Sequence, residues 1–297
     1  MPQSILELLR SGTILLSDGA MGTELHNRGL QQGDCPEEFN LIRPEVVKGI
    51  HQDYFAAGSD LVETNTFGGN RARLERHGLS DKTADINKTA AELALSVRPA
   101  GKFVAGSVGP LGEVLEPLGS FSGDHAYEIF SEQIAALAEG GVDIIFIETM
   151  MALEEIAIAV RAAQDSTDLP VSATMTFEVG PTGPHTSWGV DPESAVKKLT
   201  EAGVDILGSN CGRGFDEMTV VVEKMRPLTD IFLLAQANAG TPILEEGKSV
   251  FKETPEEVVP KARKLLQSGV NILGGCCGTG PAHIQAMRRL VDAFVKE

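Results

Sequence analysis

Apolar residues in this chain fall into two alternating patterns. Short, nearly unbroken runs rich in Val and Ile are separated by longer segments in which apolar positions recur every three or four residues. The first pattern suits strands buried on both faces of a parallel sheet, and the second suits helices with one apolar stripe. Eight runs predict strands: TILLSD, SDLVETN, KFVAGS, VDIIFIET, PVSATMTF, VDILGSN, IFLLAQAN and VNILGGC. Eight helical segments follow them in turn, from PEVVKGIHQDYFAAG to PAHIQAMRRLVDAFV. Several open with Pro in the first turn, where its missing N–H costs nothing.

A faint repeat reinforces the pattern. AAGSDLVETN, EGGVDIIFIE, EAGVDILGSN and QSGVNILGGC share a helix-ending Gly, an Asp or Asn, and an apolar strand, and they fall on strands two, four, six and eight. Eight βα units in 297 residues predict an α/β fold, a closed (β/α)₈ TIM barrel spanning residues 1–297 as a single domain. A doubly wound open sheet is the competing arrangement. The segment EVGPTGPHTSWG after strand five is expected to be irregular because of its Gly and Pro, as a cover over the barrel mouth or a plain surface loop.

Composition narrows the range of functions. A formal net charge of −17 and a pI near 4.8 oppose nucleic acid or an anionic membrane as partner. No apolar stretch reaches the ~18 residues a membrane span needs, and no leader pattern opens the chain, so a cytoplasmic protein is expected. Four cysteines, Cys35, Cys211, Cys276 and Cys277, are too few for a disulfide framework.

In a barrel the active site lies at the C-terminal ends of the strands. The polar residues predicted there are Asp18, Glu63 and Asn65, Ser107, Glu148, Thr176, Asn210 and Cys211, Asn238, and finally Cys276 and Cys277. Three of the four cysteines therefore converge on one mouth from strands six and eight. Adjacent side chains on a straight strand point to opposite faces, so the GGCCGTG stretch must bend for both sulfurs to reach one point. Its glycines permit that. Three thiolates suit Zn²⁺ with one position open. The alternatives are small buried hydrophobes or a redox pair of neighbouring cysteines. Three anionic ligands leave a metal little Lewis acidity, so such a site favours holding a substrate thiol as thiolate for alkyl transfer over activating water. Cys35 is expected to be a bystander. None of His26, His51, His77, His125, His185 or His283 ends a predicted strand; most are expected to be solvated or in lids, which disfavours a hydrolase.

The segments DGAMGTEL, ETNTFGGNRARL, GSNCG, QANAG and GGCCGTGPAHI resemble the zinc-dependent homocysteine S-methyltransferase family, in particular the homocysteine-binding module of cobalamin-dependent methionine synthase. The resemblance covers nearly the whole chain. It implies a (β/α)₈ barrel, Zn²⁺ on Cys211, Cys276 and Cys277, and Asn238 at the fourth zinc position when substrate is absent. It also implies that the amino acid end of homocysteine meets Asp18, Gly19, Ala20, Met21 and Gly22 of the first motif and Glu148 of strand four. Backbone N–H groups would receive the carboxylate and Glu148 the ammonium. A structural ion pair for Glu148 and a turn-forming role for Asp18 are the alternatives. Asn65 is a further candidate for substrate contact, or, like Asn210, a brace for neighbouring loops.

The donor is less legible. One Trp and two Tyr offer little to a quaternary ammonium, although Trp188 could supply one aromatic face, and the chain stops 20 residues after Cys277, which argues against a betaine enzyme. The folate and cobalamin modules of methionine synthase have no counterpart here. A methylcobalamin or other corrinoid on a separate protein or module is therefore the expected donor, with S-methylmethionine as the alternative. The chain could equally be a piece of a longer protein, or a non-catalytic zinc-binding barrel.

Overall fold

The computed structural model describes residues 3–245 and 248–296. Eight parallel strands form one sheet: β1 (Leu15–Leu16), β2 (Leu61–Glu63), β3 (Phe103–Val108), β4 (Ile144–Met150), β5 (Val171–Met175), β6 (Ile206–Cys211), β7 (Phe232–Ala237) and β8 (Ile272–Gly275). From β2 to β8 each pairs with its sequence neighbour, and β8 pairs with β1. The remaining seam, between β1 and β2, is drawn together by individual hydrogen bonds. Asp60 N–H donates to Leu16 O at 2.6 Å, Leu16 N–H to Asp60 Oδ2 at 2.8 Å, and Glu63 N–H to Asp18 Oδ2 at 2.9 Å. The predicted TIM barrel is thus observed, nearly closed.

The eight predicted helices are all present outside the sheet: α1 (Pro44–Ala57), α2 (Thr83–Leu95), α3 (Gly123–Glu139), α4 (Leu153–Ser166), α5 (Pro192–Ala202), α6 (Phe215–Met225), α7 (Pro255–Gln267) and α8 (Pro281–Phe294). Their apolar stripes pack on the outward side chains of the strands to make the larger core. A smaller core fills the barrel interior, where Leu15, Leu61, Phe103, Ile144, Phe146, Ile206, Leu234 and Ile272 meet. Its lower end is plugged by Ile5 and Leu9 of a short helix, Ile5–Arg10, whose start is fixed by reciprocal hydrogen bonds between Ser4 and Glu7.

The repeated acid or amide has a structural explanation. Asp60, Asp143, Asp205 and Asn271 stand at the start of the even strands, and each accepts a backbone N–H from the preceding odd strand: Leu16, Val104, Val171 and Leu233, at 2.7–2.9 Å. Each returns its own N–H to a carbonyl of the same strand. The repeat is a set of latches at the N-terminal end of the barrel.

The structure corrects one expectation and adds an exception to another. EVGPTGPHTSWG is not irregular throughout: Glu178–Gly180 and Gly183–His185 form an antiparallel hairpin, and only the rest follows the expectation. Gly183 takes a φ of 105° at the turn, so glycine here enables regular structure. The hairpin is tied to its neighbours by an Arg213–Glu178 ion pair at 2.6 Å and by Val179 N–H on Glu217. His51, expected among solvated or lid histidines, is fully buried in α1, and burial pushes its pKa down to about 4. No described helix is long and apolar enough to cross a membrane.

Candidate active site

The three predicted sulfurs meet. Cys211 ends β6, Cys276 and Cys277 follow β8, and their Sγ atoms all lie within 4.8 Å of one another, with 2.9 Å between Cys211 and Cys276. β8 stops at Gly275, and a turn closed by Thr279 N–H on Cys276 O at 3.0 Å carries both cysteines to the same side. Glycine is required on both flanks. A Cβ on Gly275 would lie 2.0 Å from Thr279 Oγ1, while Gly278 has a φ of 81° and its Cβ would meet that of Phe251 at 2.2 Å. Cys35 stands apart among Leu74, Leu79 and Ile86, its thiol on Glu37 at 3.3 Å.

Three thiols this close cannot titrate independently. The contact with Cys211, then that with Cys276, draws the Cys277 pKa down to about 3. Cys276 is pushed well up by Cys211, by Cys277 and by burial. Cys211 is drawn down by Cys276, but Cys277 and burial outweigh this and leave it well above the ordinary range. The three sulfurs thus oppose one another's ionisation, and a divalent cation would allow all three to ionise. The donor set fits zinc in type and number, with a position to spare. Asn238 lies beside it. Its Nδ2 donates to Gly212 O at 2.6 Å, and its buried Oδ1 has no partner among the described residues. The neighbouring Ala239 N–H binds Cys277 O, and Cys276 N–H binds Ala237 O.

Opposite the sulfurs, the same pocket is walled by Asp18 to Thr23, Glu63 to Phe67, Ser107, Glu148, Thr149 and Gln236. No Lys, Arg or His is among its lining residues. Asp18, Glu63 and Glu148 form no ion pair with a described residue, and burial is the main cause pushing all three pKa values upward, that of Asp18 to about 8. Glu63 and Glu148 also share a hydrogen bond, and Gln236 donates to Glu63. Glu148 Oε1 accepts from Ser107 Oγ at 2.5 Å, and its Oε2 from Asn210 Nδ2 at 3.1 Å. The ladder between β4 and β5 shifts register between Ile147 and Met150, which turns Glu148 and Thr149 into the mouth. Thr149 and Cys211, with φ of 60° and 64°, are the only non-glycine residues with positive φ among the described residues. Such strain gathers at functional sites.

Asp18 to Gly22 form the loop from β1 into a short helix, Met21–Asn27, whose first-turn N–H groups have no side-chain cap. Tyr54 Oη ties this loop to the strand-eight loop through Ala20 O and Thr279 O, both at 3.1 Å. Asn65 lies on the pocket wall, and its Nδ2 is engaged by Pro36 O and Asn40 Oδ1. Glu63 stands on the pocket wall, as its place at the end of strand two predicts, whereas nothing in the sequence assigns Gln236 to the pocket. Trp188 is half-exposed and does not line it.

Fold and site together define a TIM-barrel enzyme with a cysteine-rich, cation-poor mouth. The sequence pattern of the homocysteine S-methyltransferases matches residues 15–291, so the chain belongs to the homocysteine S-methyltransferase family. It is 31% identical to the methionine synthases of Mycobacterium leprae and Mycobacterium tuberculosis, over 94% and 97% of this chain. It spans about a quarter of their length, 24% and 25%. Among solved structures, the metallated form of the homocysteine methyltransferase MmuM from Escherichia coli superposes with a TM-score of 0.80 at 24% identity, covering 95% of this chain and 98% of that one. A methyltransferase from Methanosarcina mazei shares the fold, with a TM-score of 0.60 at 11% identity over 98% of both chains.

Proposed function

We infer that the chain methylates the sulfur of homocysteine to give methionine, with Zn²⁺ held by Cys211, Cys276 and Cys277. The observation that carries this reading is the convergence of three sulfurs within 4.8 Å at one side of a pocket whose other side is acidic and free of cations. Bound there, zinc would lower the pKa of an incoming thiol so that it reacts as a thiolate near neutral pH. The protein's own groups do the rest. Asn238 Oδ1, buried without a partner among the described residues, would offer the metal a neutral oxygen when substrate is absent. Glu148, fixed by Ser107 and Asn210, pairs with the substrate ammonium, and the trio of acids leaves no cation to compete for it. Ala20 N–H is taken by Thr279 O, so the uncapped N–H groups of the helix start at Met21 and Gly22 would receive the carboxylate, and Asp18 holds that loop to β2 through Glu63 N–H. Asn65 braces the same wall.

The methyl group comes, in this reading, from a methylcobalamin-type corrinoid on a separate protein or module, which is supported by likeness to enzymes named methionine synthase. S-methylmethionine is the alternative small donor. A betaine enzyme gains no aromatic face from Trp188, which lies off the pocket. The test is to assay the purified chain with homocysteine and, in parallel, methylcobalamin, S-methylmethionine and betaine, with zinc analysis before and after thiol addition. Methionine formed from methylcobalamin, together with a new sulfur ligand on zinc, is expected. A zinc coordination shell that homocysteine leaves unchanged would mark a structural, non-catalytic metal.

A further inference from the structure

The pocket offers two separate holds on a substrate, the sulfur trio of β6 and β8 and the Glu148 carboxylate of β4. One side chain joins them. Asn210 is fully buried, and both ends of its amide are doubly used. Its Oδ1 accepts from Thr149 N–H at 2.8 Å and Thr174 Oγ1 at 2.7 Å; its Nδ2 donates to Glu148 Oε2 at 3.1 Å and Thr149 Oγ1 at 2.6 Å. The next residue in the chain is Cys211. The amide therefore grips Thr149 directly and reaches Cys211 through the chain and through a long Nδ2 contact to its Sγ at 3.9 Å, and among the described residues these are the two non-glycine positions held at positive φ. Conformations of that kind persist only where the surroundings over-determine them.

We propose that Asn210 is a positioning residue that sets the separation between the ammonium-binding carboxylate and the sulfur-binding centre, and so selects the number of carbons between amine and thiol in the substrate. This rests on the function proposed above. A ligand gripped at both ends has to match the span. Cysteine, one methylene shorter than homocysteine, can satisfy one hold or the other but not both without distortion. One methylene in a fitted pocket is worth on the order of 10–200-fold. The amide suits the task because it fixes a carboxylate with its donor and a backbone N–H with its acceptor, whereas an alanine would fix neither.

The test is calorimetric titration of the zinc-loaded chain and its Asn210→Ala variant with L-homocysteine and with L-cysteine, without any methyl donor. The wild type should favour homocysteine, and the ratio of the two Kd values should fall by roughly tenfold or more in the variant, at unchanged zinc content. A wild-type ratio near one, or a ratio that survives the substitution while both affinities drop equally, overturns the inference and leaves Asn210 a structural brace. Should Asn210→Ala fail to fold or lose zinc, Thr149→Val keeps the side-chain shape and removes the hydroxyl that ties Asn210 and Glu148 to Thr149, at 2.6 and 3.3 Å; the same ratio then decides with the same two outcomes. A wild type that binds neither thiol at zinc overturns the proposed function together with this inference, whereas an intact ratio in the variant overturns this inference alone.

Discussion

The two ends of the barrel use the same acidic residues for opposite purposes. At the N-terminal end Asp60 accepts Leu16 N–H and pairs with Lys102 at 2.6 Å and Arg288 at 2.9 Å, and Asp143 accepts Val104 N–H and pairs with Arg98 at 2.7 Å. At the C-terminal end Asp18, Glu63 and Glu148 are buried without a cation, leaning on one another and on neutral donors such as Ser107, Asn210 and Gln236. A carboxylate desolvated without a counter-charge costs the fold free energy, whereas one matched by backbone N–H groups and cations offsets that cost. The lower acids hold strands together. The upper acids keep a charge deficit that a bound ammonium can fill, which is the division of labour expected between the stability face and the active face of such a barrel.

The largest effect should come from removing a sulfur. Cys276→Ala takes one ligand from a site that has none to spare, so metal retention and methyl transfer should both fall to background; zinc stoichiometry after dialysis is the measurement, and an unchanged value would remove the metal from this mouth. Glu148→Gln comes next. It keeps the shape and can still bind Ser107, but loses the charge that would meet the ammonium, so homocysteine affinity should drop by about 10–100-fold, as for a charged hydrogen bond of roughly 1.5–3 kcal/mol, while zinc stays bound. Equal affinity in both forms would reassign Glu148 to the interior scaffold.

The matching change at the other end should behave in the reverse way. Asp60→Asn retains an acceptor for Leu16 N–H but strips Lys102 and Arg288 of their shared partner, so stability should fall by about 1–3 kcal/mol with homocysteine affinity intact. Thermal unfolding beside thiol titration separates the two quantities. A variant that keeps its melting temperature yet loses affinity would break the proposed contrast between the two ends.

Much of the lower end is legible in the sequence, and less of the upper. Strands buried on both faces write themselves as apolar runs, and the Asp or Asn before each even strand recurs because the same latch is made four times. The cysteines and Glu148 are visible because strand ends in a barrel share one mouth. What escapes depends on features with no residue signature. The register shift before Met150 and the positive φ of Thr149 and Cys211 are imposed by tertiary packing, and neither a Thr nor a Cys announces such a backbone. Gln236 looks like an ordinary polar residue of its strand, since its pairing with Glu63 joins β7 to β2 across the barrel interior. The hairpin Glu178–Gly180 with Gly183–His185 reads as a loop because each of its strands is only three residues long and half its positions are Gly or Pro, a composition that usually marks irregular structure.

The dependence of stability on pH addresses the charge deficit directly. Burial, opposed by the hydrogen bonds from Glu63 N–H and Ser17, raises the Asp18 pKa from 3.8 to about 8. Between those two values the folded chain binds a proton that the unfolded chain has released, so the free energy of unfolding decreases as pH rises. Its contribution is most favourable below 3.8 and is lost as pH climbs through about 8. The ligand-free protein should therefore melt at progressively lower temperature from pH 5 to pH 8. Asp18→Asn keeps an acceptor for Glu63 N–H and cannot ionise, so its melting temperature should decline less steeply over the same range. The decline would not vanish, because Glu63 and Glu148 are shifted in the same direction. Saturating homocysteine should flatten the wild-type slope as well, since its ammonium supplies the missing positive charge. If the wild type and Asp18→Asn lose the same number of degrees across that range, the proton is not carried by Asp18, and the contrast between matched and unmatched acids would have to rest on Glu63 and Glu148 alone.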